Sequence, residues 1–312
     1  MSLVTSAAGK KKNAVWNAAD YAANSAVQQT WARELIAQLH LRGDEQILDV
    51  GCGDGKVTAE IAHVVPRGSV TGIDASPQMI EFARRMFPSG KHPNLEFQIC
   101  DARKISFAAL SSPSPPQKEE RVGARRRLIL NSKCLSPLGR GEGEKTAWFD
   151  VVFSNAALHW VDDHEAILHG AASVLKPGGR LVVSCGGRGN AHDVFLALRP
   201  EMRLKRWRQF FRKIEAPYYF YSPADYEKWL PRCGFETRRV KLAPKDAVYP
   251  GRDGFAAWLR TTWLPYTQRV PEEAREEFIA GVTNRYLAKH PPDAEDRVHV
   301  KMVRLEIGAV KV

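Results

Sequence analysis

The chain is predicted to fold as an α/β protein, a doubly wound, mostly parallel seven-stranded sheet with a helical cap, and three observations carry that expectation. Short apolar runs alternate with helix-spaced segments along most of the length. Those runs are almost continuously apolar, the pattern of strands buried on both faces. The first of them stops at a glycine cluster that leads into a helix, as in open parallel sheets that bind ligands at the carboxyl ends of their strands.

A polar arm carrying Lys10-Lys11-Lys12 precedes a stretch from Ala23 to Leu39 in which Val27, Trp31, Leu35 and Leu39 recur at helical spacing. Gln46 to Val50 is a β-rich run, and the helix that begins at Lys56 is stopped by Pro66. Ser69 to Ile73 reads as a second strand. Ser76 to Phe87 reads as a helix, with Ser76 as its cap and Pro77 at the first helical position, where a missing N–H costs nothing. Leu95 to Cys100, Asp150 to Ser154 and Arg180 to Cys185 supply three more strands. The last two flank an Asp163 to Leu175 helix that closes at Lys176-Pro177-Gly178-Gly179. Past Gly186 the rhythm changes: His192 to Ile214 is mostly helical and basic, an aromatic run follows at Tyr218-Tyr219-Phe220-Tyr221, and Ser222 to Pro231 reads as a capped helix. Glu236 to Leu242 and Arg304 to Val312 are the last strands, with a helical stretch from Arg252 to His290 between them, interrupted at Pro265 and Pro271. The expected division is an arm (1–22), a core (23–110 and 147–243) split by an insertion (111–146), a helical cap (244–303) and a final core strand (304–312).

At 312 residues, 44% hydrophobic and 26% charged, the chain can bury a large core, which excludes a disulfide-stapled miniprotein. No run reaches the ~18 apolar residues of a membrane helix, and Met1-Ser2-Leu3-Val4 lacks a secretory signal's apolar stretch, so a cytoplasmic protein with no membrane partner is expected. Cys52, Cys100, Cys134, Cys185 and Cys233 form no CxxC pair, which fits reduced thiols and no structural metal. The 46 Lys and Arg against 35 Asp and Glu leave a charge of +11, which keeps nucleic acid, anionic lipid and small acids open as partners. Part of that excess sits in Ser111 to Thr146, a segment of loop composition that contains Arg125-Arg126-Arg127. A solvated insertion accounts for it, and a phosphate or nucleic-acid anchor is the competing reading.

The sharpest motif is Asp49-Val50-Gly51-Cys52-Gly53-Asp54-Gly55, in which alternate glycines let the backbone approach a ligand closely. A dinucleotide fingerprint wants its third glycine at the sixth position, yet Gly55 is fifth and Lys56 sixth. A P-loop wants Ser or Thr after Gly-Lys, and Val57 stands there.

Residue by residue, the run resembles motif I of the class I S-adenosylmethionine-dependent methyltransferases, and the likeness continues at matching intervals. The resemblance implies S-adenosylmethionine as cofactor. It implies Asp74, followed by Ala75, as the acid that holds the ribose hydroxyls. A carboxylate accepts both hydroxyl hydrogens, whereas it would repel a phosphate. Asp101, followed by Ala102, is implied as acceptor for the adenine amino group, and Met79 as a surface for the base. Asp49, Gly51 and Gly53, with Gly55 closing the turn, are implied to face the methionine end.

After the fourth strand comes Asn155-Ala156-Ala157-Leu158-His159-Trp160, not the Asn/Asp-Pro-Pro-aromatic tetrad common in methylation of nucleobase amines, so a small-molecule acceptor is expected. The sequence is similar to the trans-aconitate 2-methyltransferase family through Trp16-Asn17 and Tyr21, the Asn155 to Trp160 loop, and the stretch from Trp258-Leu259-Arg260 to Tyr286. That likeness implies esterification of a carboxylate on a small polycarboxylic acid, with Asn155, His159 and Trp160 around the reacting groups. A carboxylate of pKa about 4 is ionised at neutral pH and requires no general base. His159 is then a pocket wall, or a base if the acceptor is a hydroxyl. Charge to hold the acid is expected from Arg260 or from Arg206 and Arg208, since a guanidinium pairs bidentately with carboxylate. Tyr21 and Trp258 complete the expected acceptor contacts. Another small molecule, a carrier-bound acyl acid, and a nucleic-acid binder that keeps the fold are the alternatives.

Overall fold

The computed structural model describes residues 26–111, 148–214 and 216–312; Lys10 to Lys12, Trp16-Asn17, Tyr21, Arg125 to Arg127 and Cys134 lie outside the described residues. Strands β1 (Gln46–Val50), β2 (Ser69–Asp74), β3 (Leu95–Ile99), β4 (Phe149–Asn155), β5 (Leu175–Gly186), β6 (Phe235–Pro250) and β7 (Arg297–Lys311) form one seven-stranded sheet in the order β3-β2-β1-β4-β5-β7-β6. β1 to β5 pair in parallel, and β7 runs antiparallel to β5 and β6. The strand order reverses between β1 and β4, which opens a crevice at their carboxyl ends.

Successive residues of a strand point to opposite faces, and both faces of this sheet are apolar. Ile47, Val151 and Phe153 pack under α1 (Ala26–Ala37), α2 (Lys56–Val64) and α3 (Pro77–Met86) through Leu35, Ile61 and Ile80. Leu48 and Val152 belong to the opposite cluster, which also holds Leu110 of α4 (Phe107–Ser111), Ile167 of α5 (His164–Val174) and Leu230 of α7 (Pro223–Arg232). The predicted caps are present: Ser76 accepts from the Met79 N–H at 3.4 Å, and Ser222 and Asp225 form a capping box at the start of α7. Asp163 caps α5 as well, accepting from the Ala166 N–H at 2.9 Å. Among the described residues, no helix is long and apolar enough to cross a membrane.

Four elements differ from expectation. β5 starts at Leu175, which pairs with Phe149, so Lys176 to Gly179 lie within a strand. The basic helix α6 (His192–Arg203) is shorter than predicted, and a 3₁₀ turn (Arg208–Phe211) follows it. The last two strands are much longer than expected, since β6 runs on to Pro250 and β7 begins at Arg297. The β5–β7 pairing ends at Gly186 and Arg304, so the extra length of β6 and β7 leaves the sheet as a two-stranded ribbon. On that ribbon, Ala247, Val298 and Val300 join a third core with α6, α8 (Gly251–Thr262), α9 (Leu264–Thr267) and α10 (Arg275–Leu287).

A buried carboxylate ties this cap together. Glu201 of α6 accepts from Arg285 Nε of α10 at 2.7 Å, from Trp207 Nε1 at 3.0 Å and from Arg206 Nη2 at 3.2 Å. A side chain on Gly281 would run into the same carboxylate. Glu201→Ala leaves the buried indole N–H without its acceptor, and a loss of about 2 kcal/mol in urea unfolding is expected.

Candidate active site

The turn after β1 departs from what side chains allow. Gly51, Gly53 and Gly55 hold φ of 77°, 54° and 82°, a region costly for residues with a Cβ. At Gly51 a Cβ would collide with Ala157 of the loop after β4, and at Gly55 it would lie 2.7 Å from Phe97 and 2.9 Å from Ala83. At Gly53 a Cβ would find nothing within 4 Å, so the turn is packed at both ends and open in the middle.

Acidic groups surround the opening. The Asp74 carboxylate, at the end of β2, accepts from the Gly53 N–H at 3.1 Å and the Ser76 N–H at 2.8 Å. Burial raises its pKa, and the two N–H bonds oppose that rise. Asp49 is 2% exposed and accepts from the Thr58 hydroxyl at 2.7 Å. Burial pushes its pKa up to about 7, opposed by the Thr58 hydrogen bond and assisted by the charge of Asp74. The end of β3 joins them, since the Cys100 N–H donates to the Asp74 carbonyl at 3.0 Å. Asp101 is fixed by Arg103 at 2.7 Å, which holds its carboxyl below the usual range, and Arg103 reaches on to Asp162 at 3.0 Å. Met79 is buried, Ala75 exposed and Ala102 half-buried.

Beyond Asn155 lies a cavity of about 70 Å³ whose wall includes His159, Trp160, Trp258 and Arg304. Two of its lining residues, Ala156 and Ala191, have φ of 57° and 51°, a left-handed conformation that is costly for a residue with a Cβ. His159 Nδ1 accepts from the Gly186 N–H at 3.3 Å. Burial, then the charges of Arg304 and His164, push its pKa down to about 3. The ring is therefore neutral with its proton on Nε2, and with Nδ1 taken by the Gly186 N–H it is a weak base near neutral pH. Trp160 meets Tyr218 edge-on at 4.8 Å.

The cation in this wall was not among the expected ones. Arg304 is 4% exposed; its Nε donates to Ser184 Oγ at 3.1 Å, and its Nη2 donates to the Ser184 carbonyl at 2.5 Å and to Asn155 Oδ1 at 3.2 Å. Arg206, Arg208 and Arg260 do not line the cavity: Arg206 pairs with Glu201 and Glu277, Arg208 is exposed, and Arg260 Nε donates to Glu276 at 2.7 Å. Tyr218 and Phe220, from the aromatic run Tyr218 to Tyr221, also line the wall, a position that the spacing of the run does not reveal. Elsewhere, Glu165, His169 and Cys233 bring possible metal-ligating atoms within 4.8 Å of one another, with Glu165 already paired to Arg232 at 3.2 Å.

The methyltransferase domain family matches residues 23–240. The chain belongs to that family, as a class I S-adenosylmethionine-dependent methyltransferase. An uncharacterized methyltransferase of Schizosaccharomyces pombe is 27% identical over 230 residues, 72% of either chain. The trans-aconitate 2-methyltransferase of Agrobacterium fabrum is 27% identical over 304 residues, 95% of this chain and 99% of that one. The YcgJ protein of Bacillus subtilis has the same fold, with a TM-score of 0.53 at 15% identity over 90% of this chain and 97% of that one. The methyltransferase turn fits its family's cofactor on geometry alone, because Gly53 faces an open cradle with the Asp74 carboxylate at its edge.

Two glycine substitutions separate folding from binding. Gly51→Ala combines a left-handed φ with a collision and is expected to lower stability by about 3 kcal/mol in denaturant titration. Gly53→Ala meets open space, so the methyltransferase should fold with a loss of about 1 kcal/mol. Its methyl group enters the cradle, and calorimetry should show S-adenosylhomocysteine affinity reduced about tenfold or more.

Proposed function

We propose that the protein transfers a methyl group from S-adenosylmethionine to a carboxylate oxygen of a small acid. One observation carries the reading: the cavity wall combines a buried cation, Arg304, with a histidine that takes no proton near neutrality. An alcohol or amine acceptor must lose a proton to a base, whereas a carboxylate of pKa about 4 is already an anion. The relatives named for trans-aconitate make that acid the first acceptor to test.

S-adenosylmethionine, when bound, supplies an electrophilic methyl that passes to the acceptor oxygen as its bond to sulfur breaks and the bonding pair stays on sulfur. No proton leaves the acceptor. Asp74 takes the ribose hydroxyls, and Asp101, ionised and held by Arg103, takes the adenine amino group with Met79 against the base. Asp49 answers the cationic methionine end, while Asn155 and the aromatic wall hold the acceptor in line and keep water out.

A carboxyl whose pKa is raised to about 7 is protonated and neutral below that pH and anionic above it. Cofactor affinity is therefore expected to tighten as pH rises through about 7, a slope that Asp49→Asn abolishes in calorimetry. At saturating cofactor, kcat on a carboxylic acid should stay flat from about pH 6 to about pH 8, because no base titrates there. A limb that falls below pH 7 and vanishes in His159→Gln would overturn the carboxylate reading.

A further inference from the structure

Away from the cavity, the fold brings together three side chains of the kinds that bind borderline and soft metal ions. Glu165 and His169 stand four residues apart on α5 and share one face of that helix. Cys233 is the C-cap of α7, and its thiol donates to the Glu165 carbonyl at 3.9 Å across 68 residues of sequence. One ligating atom from each of the three lies within 4.8 Å of the other two. Their spacing in sequence carries no metal motif, because the donors come from two helices and no CxxC pair is involved.

Packing holds the two helices at this distance. Ile167, Leu168, Leu230 and Cys233 belong to one buried cluster. The His164 ring, one residue before Glu165, lies between the Tyr226 hydroxyl at 2.6 Å and the Leu158 carbonyl at 2.8 Å. Cys233 is therefore fixed, whereas His169 is exposed and Glu165 half-buried, so the side chains that must adjust are the ones with room to do so. A four-coordinate zinc ion holds nitrogen, sulfur and oxygen ligands roughly 3.3 to 3.8 Å apart, which asks for a shift of about 1 Å at the ends of these side chains. Arg232 pairs with Glu165 at 3.2 Å, but that arginine is exposed, such a pair is weak, and the carboxylate has a second oxygen to offer.

We propose that Glu165, His169 and Cys233 bind one zinc ion, with water as the fourth ligand. Sulfur and nitrogen donors favour zinc over magnesium and calcium, which take oxygen. On binding, the Cys233 thiol gives its proton to solvent, and the thiolate, the neutral imidazole and the carboxylate each share a lone pair with the metal, whose oxidation state does not change. The ion joins α5 to α7. Each of those helices begins shortly after a stretch of cavity wall, Ala156 to Trp160 before α5 and Tyr218 to Phe220 before α7, so the clamp fixes elements that carry the wall without lining it.

The test uses the full-length protein, stripped of metal with EDTA, dialysed and kept reduced, and titrated with cobalt(II) as a spectroscopic substitute for zinc. Expected are a thiolate-to-cobalt charge-transfer band and the intense visible bands of a four-coordinate ion, saturating at one cobalt per chain and lost on addition of zinc but not of magnesium. Cys233→Ser should remove the charge-transfer band, and His169→Ala, at an exposed position, should weaken zinc binding about tenfold or more, while Cys134→Ser changes neither. Zinc should raise the Tm of the parent by about 3 °C or more and leave that of Cys233→Ser unmoved. S-adenosylhomocysteine affinity within about twofold of the parent reports that each variant is folded. A parent with no charge-transfer band, a band that survives in Cys233→Ser, or displacement of cobalt by magnesium overturns the assignment, and so does a parent Tm that zinc leaves unchanged.

Discussion

The backbone of the glycine turn and the loop after β4 lie closer together than a side chain on Gly51 would allow, and the rest of the site is arranged around that approach. The Gly51 and Cys52 N–H groups both donate to the Ile73 carbonyl, at 2.8 Å and 3.0 Å, which ties the end of β1 to the end of β2. Gly72 adds to the constraint, because a Cβ there would lie 2.9 Å from Phe97 and 3.0 Å from Thr58. Three strand ends are thereby gathered at the reversal in strand order, and the carboxylates of Asp49 and Asp74 arrive beside the opening as a consequence of register.

Closeness of this kind is unfavourable by itself, so packing elsewhere must over-determine it. Ala156 and Ala191 sit in the left-handed region beside the cavity, at a cost of about 1 kcal/mol each. The buried guanidinium of Arg304 adds a desolvation cost, offset by Ser184, Asn155 and the face of Trp31. Stability to hold these features comes from the two cores on either side of the sheet and from the third beneath the cap, which Glu201 bonds to Arg285. The long β6–β7 ribbon links the parts: Arg304 belongs to the sheet on one side and to the cap's floor on the other.

Much of the core was legible because local signals and burial agree there. β1 runs from Gln46 to Val50 as expected, since its apolar run is bounded by a polar residue and a glycine. The ribbon was less legible for two different reasons. Pro244 and Pro250 argue against a strand, yet β6 is the edge of the sheet, where proline is tolerated. Arg297 to Met302 does alternate, with Val298, Val300 and Met302 buried, but six residues beside a helical stretch read as part of the cap. The cofactor side of the site lies on consecutive strand ends, so its spacing survives in sequence. The acceptor side does not. Arg304 meets Ser184 and Asn155 across 120 and 149 residues, and a lone arginine in a strand ordinarily faces water.

The two sides differ in sign, and that difference suits the proposed reaction. In the proposed reaction, the titratable group at the cofactor's cationic end would be the Asp49 carboxyl poised near 7, and the charge at the acceptor would be a guanidinium beside a neutral imidazole. A sulfonium and a carboxylate bring opposite charges together and yield a neutral ester and a neutral thioether. Charge is therefore lost on the way to the transition state, and surroundings that solvate ions poorly favour that state over the separated ions. In the proposed reaction the aromatic wall would be more than a surface for binding: rings such as those of Tyr218, Phe220 and Trp258 would lower the cost of reaching a transition state that carries less charge than the reactants. A polar cavity would hold the same acid at least as firmly and methylate it more slowly.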